Sequence, residues 1–189
     1  MKTALICIDY INEMVSQAGK LSGKGYYNFV SAHDTLSRLA EAQRHFRSED
    51  NLVIHVRLGF SANYIEHPSQ SVLIGKAKEF NALQLGTWGT EFADKVAPLN
   101  DDSVLTKHRI SAFYNTPLDT VLRVQGVGHV FLAGVATDLA VQSAARDAHD
   151  RDYVITVMAD CCAAANEEDH ESSLKTLQKI AAVKNLADL

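Results

Sequence analysis

The sequence predicts an α/β protein, a three-layer α/β/α sandwich built on an open parallel sheet. Three observations predict it. Short apolar runs alternate with longer amphipathic stretches along the chain, the rhythm of successive βαβ units. The apolar runs are near-continuous in Val, Ile and Leu, so both faces of the strands are expected to be covered. The chain has 189 residues, 47% of them hydrophobic and only 3 of them proline, which suits one domain over residues 1–189 with a full core.

The elements follow in order. "TALICI" (3–8) reads as the first strand. "FVSAHDTLSRLAEAQRHFRS" (29–48) places Leu36, Leu39, Ala40 and Phe46 on roughly one helical face. "NLVIHVRL" (51–58) and "SVLTK" (103–107) read as the second and third strands. "TPLDTVLRVQG" (116–126) predicts a helix with Thr116 as N-cap, Pro117 at the first helical position and a stop at Gly126. "HVFLAGV" (129–135) is the fourth strand, and "TDLAVQSAARDAHDR" (137–151) a helix capped by Thr137. "YVITVMAD" (153–160) is the fifth strand. The closing helix, "NEEDHESSLKTLQKIAAV" (166–183), has acids in its first turn and lysines later, as the helix dipole prefers. Residues 59–102 are long and irregular; Phe60, Tyr64, Phe80 and Trp88 argue for an ordered loop that covers something.

Composition excludes several function classes. Net charge is −5 and no basic run or stripe occurs, so nucleic acid is not an expected partner. No apolar run approaches the roughly 18–20 residues of a membrane span, and the N-terminal run breaks at Asp9 without a cleavage site. Three cysteines, Cys7, Cys161 and Cys162, lie beside apolar runs and fit buried thiols in a reducing cytoplasm. No spacing of Cys and His suggests a metal, and none is expected. His55 reads as a core histidine inside a strand.

Open parallel sheets bind ligands beyond the C-terminal ends of their strands. Asp9, Arg57, Lys107, Gly134–Thr137 and Asp160 all end strands and can converge on one crevice. Asp9 is a candidate general acid or base, and Lys107 a cation that holds it ionised or steadies developing negative charge. An ordinary ion pair tying two strands is the other reading of the same residues. The turn "GVAT" offers backbone N–H donors at Val135, Ala136 and Thr137, or else a plain capped helix. Trp88, between glycines in "GTWGTE", is either a pocket wall or a packing residue under the loop.

The co-linear set of Asp9 after the first strand, "LTKHRISAF" around Lys107, "GVAT" and "ARDA" after the fourth strand, and "MADCCAA" ahead of a helix with "HESSL" resembles the isochorismatase-like hydrolases. These are also called cysteine hydrolases and include nicotinamidases, N-carbamoylsarcosine and biuret amidohydrolases, and isochorismatase. The likeness covers nearly the whole chain, and "GTWGTE" is similar to a stretch of the amidohydrolase branches. The resemblance implies six parallel strands in the order 3-2-1-4-5-6, a site at their C-terminal ends, a non-proline cis peptide between Val135 and Ala136, a small-molecule substrate, no cofactor, and a homo-oligomer, dimer or tetramer. In cysteine-bearing members an Asp, a Lys and a Cys form the catalytic set. Asp9 and Lys107 match the first two, and the third position holds Ala140. Arg57 stands where isochorismatases carry a Gln, and could hold a carboxylate in two-pronged fashion. The Asp-x-His cluster that holds metal in nicotinamidases is missing from "VRLGFSANYIEH".

A methyl group cannot attack a carbonyl, so hydrolysis through a thioester at position 140 is excluded for this sequence. Three readings stay open. The chain is a hydrolase of a small polar molecule that needs no thiol, as isochorismatases are, with Asp9 as acid/base and Lys107 as its partner. Or it is a C–N amidohydrolase whose cysteine has been replaced by Ala140. Or it binds a small molecule without catalysis.

Overall fold

A computed structural model describes residues 1–99 and 101–189. Six strands form one all-parallel sheet: β1 (Lys2–Ile8), β2 (Leu52–Leu58), β3 (Ser103–Lys107), β4 (Val127–Gly134), β5 (Val154–Met158) and β6 (Ala182–Lys184). Their order is β3-β2-β1-β4-β5-β6, so β1 and β4 are central and the order reverses between them. In that register Cys7 faces His55 on one side and Ala133 on the other, and Leu58 faces Lys107.

The strand alternation sorts the core into two layers. On β1, Ala4, Ile6 and Ile8 join one cluster, with Leu118, Leu122, Ala144, Ala145 and Ala148. Leu5 and Cys7 join the other, with Leu39, Ala42 and Phe46. Successive side chains of a strand point to opposite faces, and an all-apolar run can fill both. The helices divide accordingly. α3 (Thr35–Ser48) covers one face; α4 (Leu118–Val124), α5 (Gln142–His149) and α6 (Glu167–Leu177) cover the other.

The sheet class holds, and four local expectations are corrected. The stretch 29–48 is two helices, α2 (Tyr26–Ala32) and α3, parted where Asp34 takes φ 50. Aspartate tolerates that left-handed backbone, so the break needs no glycine. Helix α4 begins after Pro117, which is itself the N-cap, while the Thr116 hydroxyl accepts from the Leu118 amide at 3.3 Å. Thr137 does not cap a helix with its side chain; it opens a π-helical turn, Thr137–Val141, that leads into α5. The closing helix stops at Leu177, and Ala182–Lys184 form the sixth strand instead.

The 59–102 region is packed, as its aromatics predict in part. Phe60 and Tyr64 are buried with Ile11, Leu83 and Phe92 in a third cluster. Phe80 and Trp88 are exposed. A four-residue helix, α1 (Asn12–Val15), holds the region down: the Asn12 side-chain amide donates to the Trp88 carbonyl at 3.1 Å, and the buried Glu13 carboxylate accepts from the Leu83 amide at 3.1 Å. Gly89 sits so close to that carboxylate that a Cβ there would lie 2.8 Å from it, which explains the second glycine of "GTWGTE". Among the described residues no helix is long and apolar enough to cross a membrane.

Candidate active site

The first strand delivers Asp9. Its amide continues the sheet by donating to Val56 O at 2.8 Å, and its backbone then turns left-handed at φ 60. Aspartate tolerates that region, as at Asp34. The side chain accepts from the Leu58 amide at 2.7 Å through Oδ1. Its Oδ2 lies 2.7 Å from the ammonium of Lys107. Lys107 ends β3, so its stem reaches across the end of β2; Nζ also donates to Ile110 O at 2.6 Å. Asp9 is 5% and Lys107 1% exposed. Burial pushes the Asp9 carboxyl above its usual range, against the opposing pull of the Lys107 ammonium and the Leu58 amide.

The pair forms the floor of a cavity of about 60 Å³, room for a few water-sized groups. Val135, Ala136, Leu139 and Ala140 form one wall. Leu58, Leu73, Ile74 and Ile110 form another; Met14, Leu21, Lys24 and Tyr26 complete it. The peptide between Val135 and Ala136 is cis. Among the described residues no backbone acceptor takes the Ala136 N–H, which leaves a donor at the cavity wall. The first turn of a helix also leaves N–H groups without partners inside the helix, and Ala140 sits within that turn.

The structure brings together Asp9, Lys107, Val135, Ala136 and Ala140. The other candidates lie elsewhere. Arg57 is adjacent to Leu58 on β2 and points to the opposite side; it reaches Thr106 Oγ1 at 3.4 Å and stacks 5.8 Å above the Phe92 ring. Trp88 is half-exposed and does not line the cavity, so neither a pocket wall nor a buried packing role describes it. Asp160 pairs with Arg38 at 3.0 Å and accepts from the Leu186 amide, beside a separate open groove of about 770 Å³. Thr137 is buried behind the wall rather than in it: its amide donates to Ala163 O at 2.9 Å, and its hydroxyl meets Nδ1 of the buried His170 at 2.9 Å.

The cysteines stand apart from the cavity. Cys7 lies under α3, 3.7 Å from the Gln43 amide, and burial pushes its thiol up to about 12. Burial does the same to Cys162, also to about 12, and raises Cys161 further. Thiols so raised hold little nucleophilic thiolate near neutral pH. Among the described residues no group of three or more His, Cys, Asp or Glu is gathered to hold a metal ion.

Several wall residues lie outside the set that the sequence points to. Leu73 and Ile74 belong to the apolar "SVLIG" inside the irregular region, a signal that could have found them. Lys24 and Tyr26 flank Gly25 where a short turn leads into α2 and carry no such signal.

Comparison with known proteins identifies relatives of this chain. The Isochorismatase domain family matches residues 3–188. The ureidoacrylate amidohydrolase RutB of Methylorubrum extorquens is 32% identical over 170 residues, covering 84% of this chain and 68% of that protein. Among solved structures, an isochorismatase-like hydrolase from Alkaliphilus metalliredigens superposes with a TM-score of 0.80 at 26% identity, covering 100% of this chain and 96% of the other. N-carbamoylsarcosine amidase from Thermoplasma acidophilum gives 0.78 at 27%, covering 100% and 99%. With the domain matched end to end and the strand order reproduced, the chain belongs to the isochorismatase family of hydrolases.

Proposed function

We propose that this chain is a hydrolase of a small molecule in which water, not a thiol, supplies the attacking oxygen. Asp9 carries the proton and Lys107 is its partner. Ala140 occupies the place where thiol-using relatives hold their nucleophile. The reading rests most on one observation: two buried opposite charges touch at 2.7 Å on the floor of a cavity whose wall includes Ala140. Such a centre supplies a proton-transfer group and an unpaired amide donor at Ala136, but no thiol to form a thioester. As a carboxylate Asp9 takes a proton from the attacking water; as an acid it gives one to the substrate. The Ala136 amide faces the oxygen on which negative charge develops. The walls are mostly apolar, so the charged floor is where the polar reacting group of a small molecule would sit.

A second reading has its own support. The relatives matched at about this level of identity include amidohydrolases, and the cavity stays open around the Ala140 methyl. Under that reading the chain keeps an amidase scaffold from which only the sulfur is missing.

One experiment separates them: the unaltered chain and an Ala140→Cys variant, each given a panel of small amides, esters and vinyl ethers. Water-based hydrolysis predicts turnover by the unaltered chain with no covalent adduct by mass spectrometry. The scaffold reading predicts amide turnover and a thioester adduct only in the cysteine variant. Binding without turnover by either protein contradicts both.

A further inference from the structure

We infer that His170 is a positioning residue for the cavity: by holding the Thr137 hydroxyl it keeps the turn that carries Ala140 in its π form, and so fixes the Ala136 amide at the wall. This rests on the hydrolase reading above and adds to it a residue that acts on the site without touching it.

The local sequence alone would set the turn differently. A threonine that opens a helix commonly serves as its cap, its hydroxyl accepting from an amide two or three residues on. Here the Thr137 side chain makes no capping bond. Its hydroxyl is hydrogen-bonded instead to Nδ1 of His170 at 2.9 Å, 33 residues away in the chain. The amides of Leu139 and Val141 both donate to Ala136 O at 3.2 Å. The second of these bonds spans five residues, which is the π spacing. The Thr137 hydroxyl is thus withdrawn from the turn it would otherwise tighten.

Backbone bonds hold the start of the turn: the Thr137 amide donates to Ala163 O at 2.9 Å, and the Ala163 amide to Gly134 O at 3.1 Å. Among the described residues, the bond to His170 is the one side-chain hydrogen bond that ties Thr137–Val141 to another element.

Rigid parts place His170. It sits one turn into α6, whose N-cap Asn166 accepts from the Asp169 amide at 2.9 Å. Its ring lies 5.0 Å from that of Phe29 on α2, on which His33 stacks at 4.2 Å. Thr137 is fully buried and His170 nearly so, and removing one partner leaves the other unsatisfied. Misplacing a group at a reacting centre by about 1 Å costs about 10²-fold in rate, so a bond that fixes this turn acts on the chemistry from behind the wall.

Amide hydrogen exchange followed by NMR reads the turn whether or not the chain turns anything over. Thr137→Val keeps the shape and removes the hydroxyl; His170→Phe keeps a ring and removes the nitrogen. Each should speed exchange at the Leu139 and Val141 amides at least about tenfold beyond any change at Val130 and Leu132 in β4. The double variant should exchange no faster than the faster single one. Thr137→Ser and His170→Asn, which keep a polar atom in place, should leave the turn as it is. On any substrate turned over from the panel above, kcat should fall at least about tenfold in Thr137→Val and His170→Phe with KM within about twofold, and both conservative variants should retain it. If one of the two disruptive variants does not fold, the other decides. Unchanged exchange in the turn, a rise no greater there than in β4, or an unchanged kcat overturns the inference. The expected exchange pattern with no substrate turned over by the unaltered chain counts instead against the hydrolase reading alone.

Discussion

Asp9 and Lys107 are a costly way to tie strands together. Removing two charges from water costs several kcal/mol per ion, and well-packed apolar residues often do the structural work as well or better. A position at a cavity floor is the arrangement in which such a cost can serve chemistry. Both residues are legible in the sequence because each ends an apolar run with a charge. Arg57 misleads for the same reason: it also ends such a run, but the two-residue alternation of β2 gives the cavity to Leu58 and turns Arg57 away. Lys24 is not legible, since nothing local marks a lysine in a short turn as a wall residue. At this scale one prediction concerns sulfur. With all three thiols buried and burial raising each of them, iodoacetamide near neutral pH should leave the native chain unlabelled and modify Cys7, Cys161 and Cys162 after unfolding in urea. Rapid labelling of any one of them in the native protein would restore a thiol to the set of available nucleophiles.

The strands are legible as elements because near-continuous Val/Ile/Leu runs carry their own signal, and β1 to β5 lie within a residue or two of their expected bounds. The sixth is not. Three residues at the sheet edge are too few to set a period, and "KIAAVK" continues the helical pattern of α6 without a break. The α2–α3 boundary is hidden because Asp34, not glycine, makes the turn. Thr137 has the residue type of a cap, but its hydroxyl is engaged with His170 and a π-helical turn follows. The segment before α2 offers a sharp test of backbone fit. Gly25→Ala places a Cβ against a carbonyl at a positive φ, so it should cost at least about 1 kcal/mol, read as a lower urea midpoint at unchanged slope. An unchanged midpoint would mean that this turn is free to relax.

The sheet order brings distant charges together beneath the surface as well as at the cavity. His55 on β2 is fully buried, 3.1 Å from Asp102, which also pairs with Arg47 at 2.5 Å. Burial holds the His55 imidazole below its usual range despite Asp102. For Asp102, burial alone would raise the carboxyl, but the hydrogen bonds from Arg47 and the Leu99 amide outweigh it and hold the group low. The signs give two windows. The unfolded chain protonates His55 near about pH 6.5 while the folded chain resists, so stability falls as pH drops below about 6.5. Asp102 contributes stability above about pH 3.9, and that is lost as pH falls through its lower folded value. A His55→Gln variant should therefore lose less stability than the unaltered chain between about pH 6.5 and about pH 4.5, followed by urea unfolding at each pH. Parallel curves would show that this histidine does not titrate differently on folding. The strand order itself is readable only through family resemblance, because apolar runs show that strands exist but not which ones lie side by side.

The central claim is that the buried carboxylate at the end of β1 carries the proton in a reaction that needs no thiol. The most direct measurement is the turnover of Asp9→Asn on whichever substrate the unaltered chain hydrolyses. The amide keeps an oxygen for the Leu58 N–H but cannot move a proton. Leaving Lys107 buried without its partner should also cost about 3–5 kcal/mol, so circular dichroism must first show the variant folded at the assay temperature. For the folded variant, kcat should fall by about 10² to 10⁴. A folded Asp9→Asn protein that retains the full rate would contradict the account.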